Sequence, residues 1–109
     1  MANTFKLKTK ANVGVTTVGI YTAPAATTTV VIGITLSNTS GSGVNVGVGI
    51  TRAGTTEDVK LLKNAPIPQG SSLEFMGGNK VVLETTDTLT AVSDVNNSLD
   101  VALTIMEIT

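Results

Sequence analysis

Two runs of alternating apolar residues constrain this chain more than any other feature. Val30, Ile32, Ile34 and Leu36 recur at every second position, and so do Val44, Val46, Val48 and Ile50. Successive Cβ atoms of a strand point to opposite sides, so a period of two puts each set on one face. The same spacing would scatter them around a helix. Between the runs lies Ser37-Asn38-Thr39-Ser40-Gly41-Ser42-Gly43, a stretch of turn formers. Symmetric pairing about that loop predicts a hairpin. In it Leu36 faces Val44, Ile34 faces Val46, Ile32 faces Val48 and Val30 faces Ile50, all directed into a core. The opposite face of this hairpin sets Gly33 against Gly47 and Val31 against Gly49. Glycine inside a strand gives up packing and weakens β propensity. Either another backbone approaches closely, from this chain or a neighbouring subunit, or the glycines ease local twist and bulging. Gly33, Gly47 and Gly49 are therefore candidate subunit contacts.

The rest of the chain repeats the alternation. Phe5 and Leu7 alternate with Lys6, Lys8 and Lys10, and Val18 and Ile20 with Gly19 and Tyr21. Ala23-Pro24-Ala25-Ala26 ends that strand, because proline fixes φ and lacks a donor. Val59 to Leu62 reads as a short strand. Pro66 and Pro68 make residues 64–70 an irregular connection. Leu73 and Phe75 begin a strand that turns at Gly77-Gly78-Asn79, with Val81 and Leu83 as its returning partner. Thr88 to Val92 pairs with Val101 to Ile108 around the polar loop from Asp94 to Ser98. The sum is an all-β chain of about eight strands, a single antiparallel β-sandwich or jelly-roll-like barrel. Residues 1–109 form one domain, with residues 1–12 as an N-terminal arm or edge strand.

The residue types exclude much chemistry. The sequence contains neither cysteine nor histidine. Disulfides, thiolate and imidazole metal sites, and Ser-His-Asp or Cys-His nucleophilic triads are all ruled out. Acid–base work would fall to carboxylates or lysines. Glu57 and Asp58 are adjacent and lie in a loop. Glu74 and Glu84 could flank each other across the Gly77-Gly78 turn, as a glycosidase-like pair or simply as solvated charges. Asp94, Asn96, Ser98 and Asp100 alternate as oxygen ligands, but lack the glycine and terminal glutamate of a calcium loop and read as a polar hairpin loop. Gly41, Gly43, Gly47 and Gly49 fit no phosphate-loop spacing. No enzyme, cofactor or metal is expected. Tyr21 reads as a core or interface residue rather than a sugar platform. The loops at 38–43, 52–58 and 94–98 are the places where a receptor-binding function would sit.

Charge narrows the partners. Seven basic and eight acidic residues leave a net charge of −1, which gives no grip on nucleic acid. The apolar runs are too short to span a membrane as helices. The N-terminus MANTFKLKTK lacks the apolar stretch of a secretory signal, so a protein working outside its host would leave by another route, such as lysis. Lys6, Lys8 and Lys10 share one side of the first strand. They protect an edge from strand addition, or belong to an arm that meets an acidic surface on a neighbouring subunit.

Several motifs run together in one order. YTAPAATTTVVIGITLSNTSGSGVNVGVGI carries Tyr21 with Pro24, a Thr-rich run into a strand, and Asn38-Thr39-Ser40. VKLLKNAPIPQGSSLEFMGGNKVVLETTDTL carries the turn from Pro68 to Glu74 and the segment from Asn79 to Asp87, and DVALTIMEI closes the chain. From about residue 13 to 109 this pattern resembles small β-sandwich virion structural proteins of tailed phages, of the T4-like cyanophage and marine phage type. The resemblance implies a non-enzymatic virion subunit present in many copies or as a homo-oligomer, made in the host cytoplasm and released by lysis. Capsid decoration or cementing is the first expectation; a neck, tail or fibre component with a receptor- or carbohydrate-binding role is the alternative. The implied partners are other virion proteins, namely the major capsid protein or neck and tail proteins. The motifs mark turns and strand starts and carry over no active site.

Overall fold

The computed structural model describes residues 3–53, 57–75 and 80–109. Nine strands form two antiparallel sheets packed face to face, with no helix among the described residues. The first sheet contains β1 (Asn3–Val13), β9 (Leu99–Ile108), β3 (Thr28–Asn38), β6 (Ser72–Phe75) and β7 (Val81–Leu83). Its order is β1-β9-β3-β6, with β7 also on β3. The second sheet is β2 (Val18–Thr22), β8 (Thr88–Ser93), β4 (Val44–Thr51) and β5 (Asp58–Ile67), in the order β2-β8-β4-β5. β6 runs beside Ile34–Ser37 and β7 beside Thr29–Val31 of the same strand. The two lie end to end as one interrupted edge strand. That leaves eight strand positions in nine strands, in the crossing connectivity of a jelly roll.

The strand partners differ from those expected. β3 pairs with β9, β6 and β7, whereas β4 pairs with β5 and β8. The chain crosses from one sheet to the other between Leu36 and Val44, so the four-rung ladder does not form and Gly33 is not beside Gly47. The same crossing separates Thr88–Val92 from Val101–Ile108, which pair within different sheets. Leu73 and Phe75 pair with β3 rather than with Val81 and Leu83. The turn expected at Gly77-Gly78-Asn79 lies outside the described residues. Among the described residues, β4 and β5 alone are consecutive strands that pair. Asn38 explains the first crossing. This buried side chain donates through Nδ2 to the carbonyls of Ser42 (2.8 Å) and Ile67 (3.0 Å). Its Oδ1 accepts from the Ser40 N–H at 2.9 Å. One amide thus ties the end of β3, the crossing loop and the end of β5 together. A buried polar group with both ends bonded costs little to bury.

A bulge settles the phase of β3. Val31 pairs with Ile105, but Gly33 pairs with Thr104, leaving Ile32 as the extra residue. One inserted residue reverses which side faces the core. Val31, Ile34 and Leu36 are accordingly buried, while Val30 and Ile32 are half-buried on the outer face. Six of the eight expected core residues hold their place: Ile34, Leu36, Val44, Val46, Val48 and Ile50. Val30 and Ile32 do not. Leu99, Leu103 and Ile105 of β9 complete the centre, with Leu83 and Leu89 from the flanking strands.

Candidate functional site

β1 carries lysines on its inward face and apolar residues on its outward face. Among the described residues it pairs only with β9 and forms the edge of its sheet. Lys6, Lys8 and Lys10 stand opposite Ile105, Leu103 and Val101. Those three residues are buried, so the lysines are on the inward face. β2, in the facing sheet, has five residues against eleven in β1. Much of this inward face therefore has no strand across from it, and long cationic side chains reach solvent from there. Inward charges at an edge strand discourage another strand from adding to it.

The lysine nearest the end is locked in place. Lys6 Nζ lies 2.8 Å from Glu107 Oε1. Tyr21 Oη donates to Glu107 Oε2 at 2.5 Å and lies 2.8 Å from Thr29 Oγ1. Lys8 Nζ sits 6.0 Å from the centre of the Tyr21 ring, within cation–π range. The cluster links β1, β9 and β3 of one sheet to β2 of the other. The Lys6 ammonium and then the Tyr21 hydroxyl hold the Glu107 carboxyl below its ordinary range, against the opposing effect of burial. Burial, reinforced by the anionic Glu107 acceptor, pushes the Tyr21 hydroxyl up to about 12. Glu107 was not among the expected site residues. Its signal is legible in hindsight: it continues the inward phase of Val101, Leu103 and Ile105, where an acid requires a partner.

The outward face of β1 is the complement. Phe5 is 69% exposed and Leu7 is 67% exposed. Strand register extends this face across the sheet. Phe5 pairs with Met106, Met106 with Val30, and Val30 with Val82. Directly opposed residues share a face, so these four make an apolar row from one sheet edge to the other. Val82, at the far end, is 54% exposed. The next row runs Leu7, Thr104, Gly33.

The three glycines separate. A Cβ at Gly49 would lie 2.9 Å from the Val59 carbonyl oxygen. One at Gly47 would lie 3.2 Å from that of Leu62. β5 bulges twice alongside β4 here, and its backbone occupies the space. Close approach within the chain accounts for both residues. A Cβ at Gly33 would meet nothing within 4 Å, so no neighbour among the described residues requires glycine there.

The acidic candidates do not converge. Glu74 pairs with Thr35, while Leu83, next to Glu84, pairs with Thr29 at the other end of β3. Asp94 Oδ1 accepts from Asn45 N–H and Asp100 Oδ1 from Asn12 N–H, each at 3.0 Å. Ser98 Oγ donates to the Val95 carbonyl. Among the described residues no three Asp or Glu form a group that could hold a metal ion. Of the expected loop cluster, residues 38–43 and 94–98 meet at one end, where Thr39 N–H donates to the Ser98 carbonyl at 2.8 Å. The connection after Thr51 lies at the opposite end. There Asp87 is a buried hub. It accepts from Ala53 N–H and Glu84 N–H at 3.0 Å each and lies 3.1 Å from Arg52 Nε. Burial pushes its carboxyl up, but these donors outweigh burial and hold it below the usual range. An open cleft of about 410 Å³ beside it is lined by Ile50, Arg52, Val59, Val82, Glu84 and Asp87. Its two acids are both engaged by Arg52.

Solved structures share this architecture over nearly the whole chain. The Bacillus endospore appendages, described as a family of disulfide-linked pili, match with a TM-score of 0.57 and 16% identity. That match covers 99% of this chain and 87% of that one. The T13 particle of the virus IBDV matches with a TM-score of 0.58 and 14% identity, over 96% of this chain and 30% of the other. The acid-stable capsid of Helicobacter pylori bacteriophage KHP30 matches with a TM-score of 0.57 and 11% identity, over 100% of this chain and 94% of that one. At these identities the likeness establishes the jelly-roll fold alone. No protein-family model matches the sequence, and no curated protein matches it.

Proposed function

We propose that this chain is a non-enzymatic, repeated subunit of a phage particle, one that decorates or cements the capsid. The observation that carries this reading is the match to a chain of nearly equal length within a phage capsid structure, end to end on both sides. The ordered motifs from Tyr21 to Asp87, with their resemblance to tailed-phage virion proteins, point the same way. The pilus neighbour is described as disulfide-linked, and a sequence without cysteine has no such link to make. The absence of histidine and cysteine and the dispersed carboxylates favour a structural role over catalysis. Major capsid protein or neck and tail proteins are the corresponding partners. Of the residues first singled out for subunit contact, Gly33 stays open to a neighbour, and Lys8 and Lys10 lie along the sandwich edge. Lys6 is engaged by the chain's own Glu107.

Copy number in purified particles tests this. Quantitative mass spectrometry should find on the order of hundreds of copies per particle for a capsid decoration subunit. A count on the order of tens, in multiples of three or six, would move the chain to the neck, tail or fibre. Absence from the particle would end the virion reading.

A further inference from the structure

We propose that the outer face of the β1-β9-β3-β7 layer is the contact between copies of this chain, covered by the same face of a second copy across a two-fold axis. This rests on the repeated-subunit part of the reading above, and not on the particle being a phage.

Three observations converge on that face. First, it carries the two most exposed large apolar side chains among the described residues, Phe5 and Leu7. Phe5, Leu7 and Val82 are each more than half exposed, and Met106 and Val30 join Phe5 to Val82 through strand register. Exposed apolar surface that is contiguous, rather than scattered, marks an interaction site. Second, Gly33 lies in the adjoining row, with open space above it. A residue that leaves a backbone bare, where no described atom of its own chain needs the room, suits close approach from outside. Third, the apolar row and the Leu7, Thr104, Gly33 row beside it carry no charge; Glu74, opposite Thr35, and Asp100, opposite Ser37, lie farther along the same face. The outward positions of β1, β9 from Ala102 onward, and β3 from Thr28 to Thr35 include no acid or base. The lysines of β1 turn the other way.

Neutrality and geometry together select the occupant. A nucleic acid or an acidic partner finds no cation in these two rows. A second copy meets no like charge at these two rows, where like charge is the usual obstacle to self-pairing. A two-fold axis lying in the interface plane, parallel to the strands and above the gap between Met106 and Val30, sets Phe5 of each copy over Val82 of the other. Such an isologous contact closes on itself. The alternative mode, strand addition at the β1 edge, is opposed by Lys6 and Lys8. Four strands about 4.8 Å apart and six residues of about 3.3 Å rise give about 400 Å² per copy. That is about half of what a stable pairwise interface buries, about 800 Å² per partner. The contact is accordingly weak for an isolated pair and gains strength where many copies are held together.

The lack of cysteine makes the test clean. Met106→Cys places one thiol beside the proposed axis; Lys60→Cys places one on the outer face of the other sheet. The full-length Met106→Cys chain should form disulfide-linked dimers at least about tenfold faster than Lys60→Cys, because docking raises the local thiol concentration. Lys60 is the more exposed residue, so random collision favours the control. Sedimentation of the unmodified chain should show reversible association rising towards about 1 mM. The double variant Phe5→Ser/Leu7→Ser should remove it without shifting the melting temperature in dilute solution. Equal disulfide rates, or association that survives the serine variant, overturn this face while leaving the repeated-subunit reading intact. A chain that is monomeric throughout yet abundant in particles also overturns self-contact and points to a different partner. A chain that is monomeric and absent from particles overturns both.

Discussion

The two outer faces of the sandwich are built from the same alternation and carry opposite surfaces. On one sheet the row Phe5, Met106, Val30, Val82 is apolar from edge to edge. On the other, Thr22, Thr88, Thr51 and Asp58 form a row, and Gly19, Thr90, Gly49 and Lys60 form the next. Those hydroxyls bond to one another and to the strands. Thr22 Oγ1 lies 2.9 Å from Thr88 Oγ1, and Thr51 Oγ1 donates to Asp58 Oδ1 at 2.7 Å. Thr90 Oγ1 donates to the Gly49 carbonyl at 3.2 Å. The threonine face satisfies itself and presents hydroxyls and charges to water. The apolar face has no such internal partners. Solvation alone would favour the threonine solution on both sides, so the difference marks one face for contact.

Substitutions can break or sharpen this contrast. The largest effect is expected beneath the apolar face, where Ile34 is only 3% exposed. Ile34→Ala should destabilise the fold by about 2–5 kcal/mol in denaturant unfolding. Ile32, two residues earlier on the outer side of the bulge, should lose far less on the same truncation. Equal losses at both positions would mean that the bulge does not set the phase.

Glycines separate the two sheets next. Gly49→Ala forces a Cβ to within 2.9 Å of a backbone oxygen and should cost about 1–3 kcal/mol. Gly33→Ala meets open space and should change stability by no more than about 1 kcal/mol, on the stabilising side, by narrowing the unfolded ensemble. Reversed signs in a pair of thermal melts would refute the separation of the glycines.

Acid should act where the inward charges of β1 are anchored. Glu107 and Asp87 have folded-state values depressed below their ordinary 4.5 and 3.8. In each case the unfolded chain takes up the proton first. Their contribution to stability is therefore full above about pH 4.5 and is lost as pH falls through the depressed values. Tyr21 has the opposite sign: its value is raised from 10.0 to about 12, so its contribution is lost as pH rises across that interval. Glu107→Gln should flatten the acid limb and leave the exposed residues of the outer face untouched. An unchanged acid limb in melts from pH 2 to 6 would assign acid sensitivity elsewhere. The smallest effect is expected on the threonine face. Thr51→Val removes one exposed hydrogen bond and should shift stability by about 0.5 kcal/mol or less.

Much of this was legible in the residues, and the exceptions share a cause. Val44, Val46, Val48 and Ile50 are buried as their alternation requires, because no bulge interrupts their inward phase. Val30 and Ile32 belong to an equally regular run, yet one inserted residue puts them outside. β1 is inverted over most of its length: Phe5 and Leu7 face out and its lysines face in. An edge strand that overhangs a shorter partner has no core to fill, and Glu107 supplies a counter-charge from the far end of the chain. Of the candidate contacts, Gly33 kept an open surface, whereas Gly47 and Gly49 are explained by β5 leaning over them.

The sequence by itself determined that the chain is made of strands, which residue types can do chemistry, and which side of an uninterrupted strand is apolar. These follow from local backbone preference and from a period of two, which each segment carries on its own. Only the tertiary structure decided which strand lies beside which, where the phase slips, and which outer face stays apolar. A period-two pattern names a face without naming a partner. Any apolar strand can pair with any other until loop lengths, a bonded Asn38 and the two-layer packing select one arrangement. The apolar row across Phe5, Met106, Val30 and Val82 exists only in that arrangement, because its four residues come from four strands that the chain reaches in separate crossings.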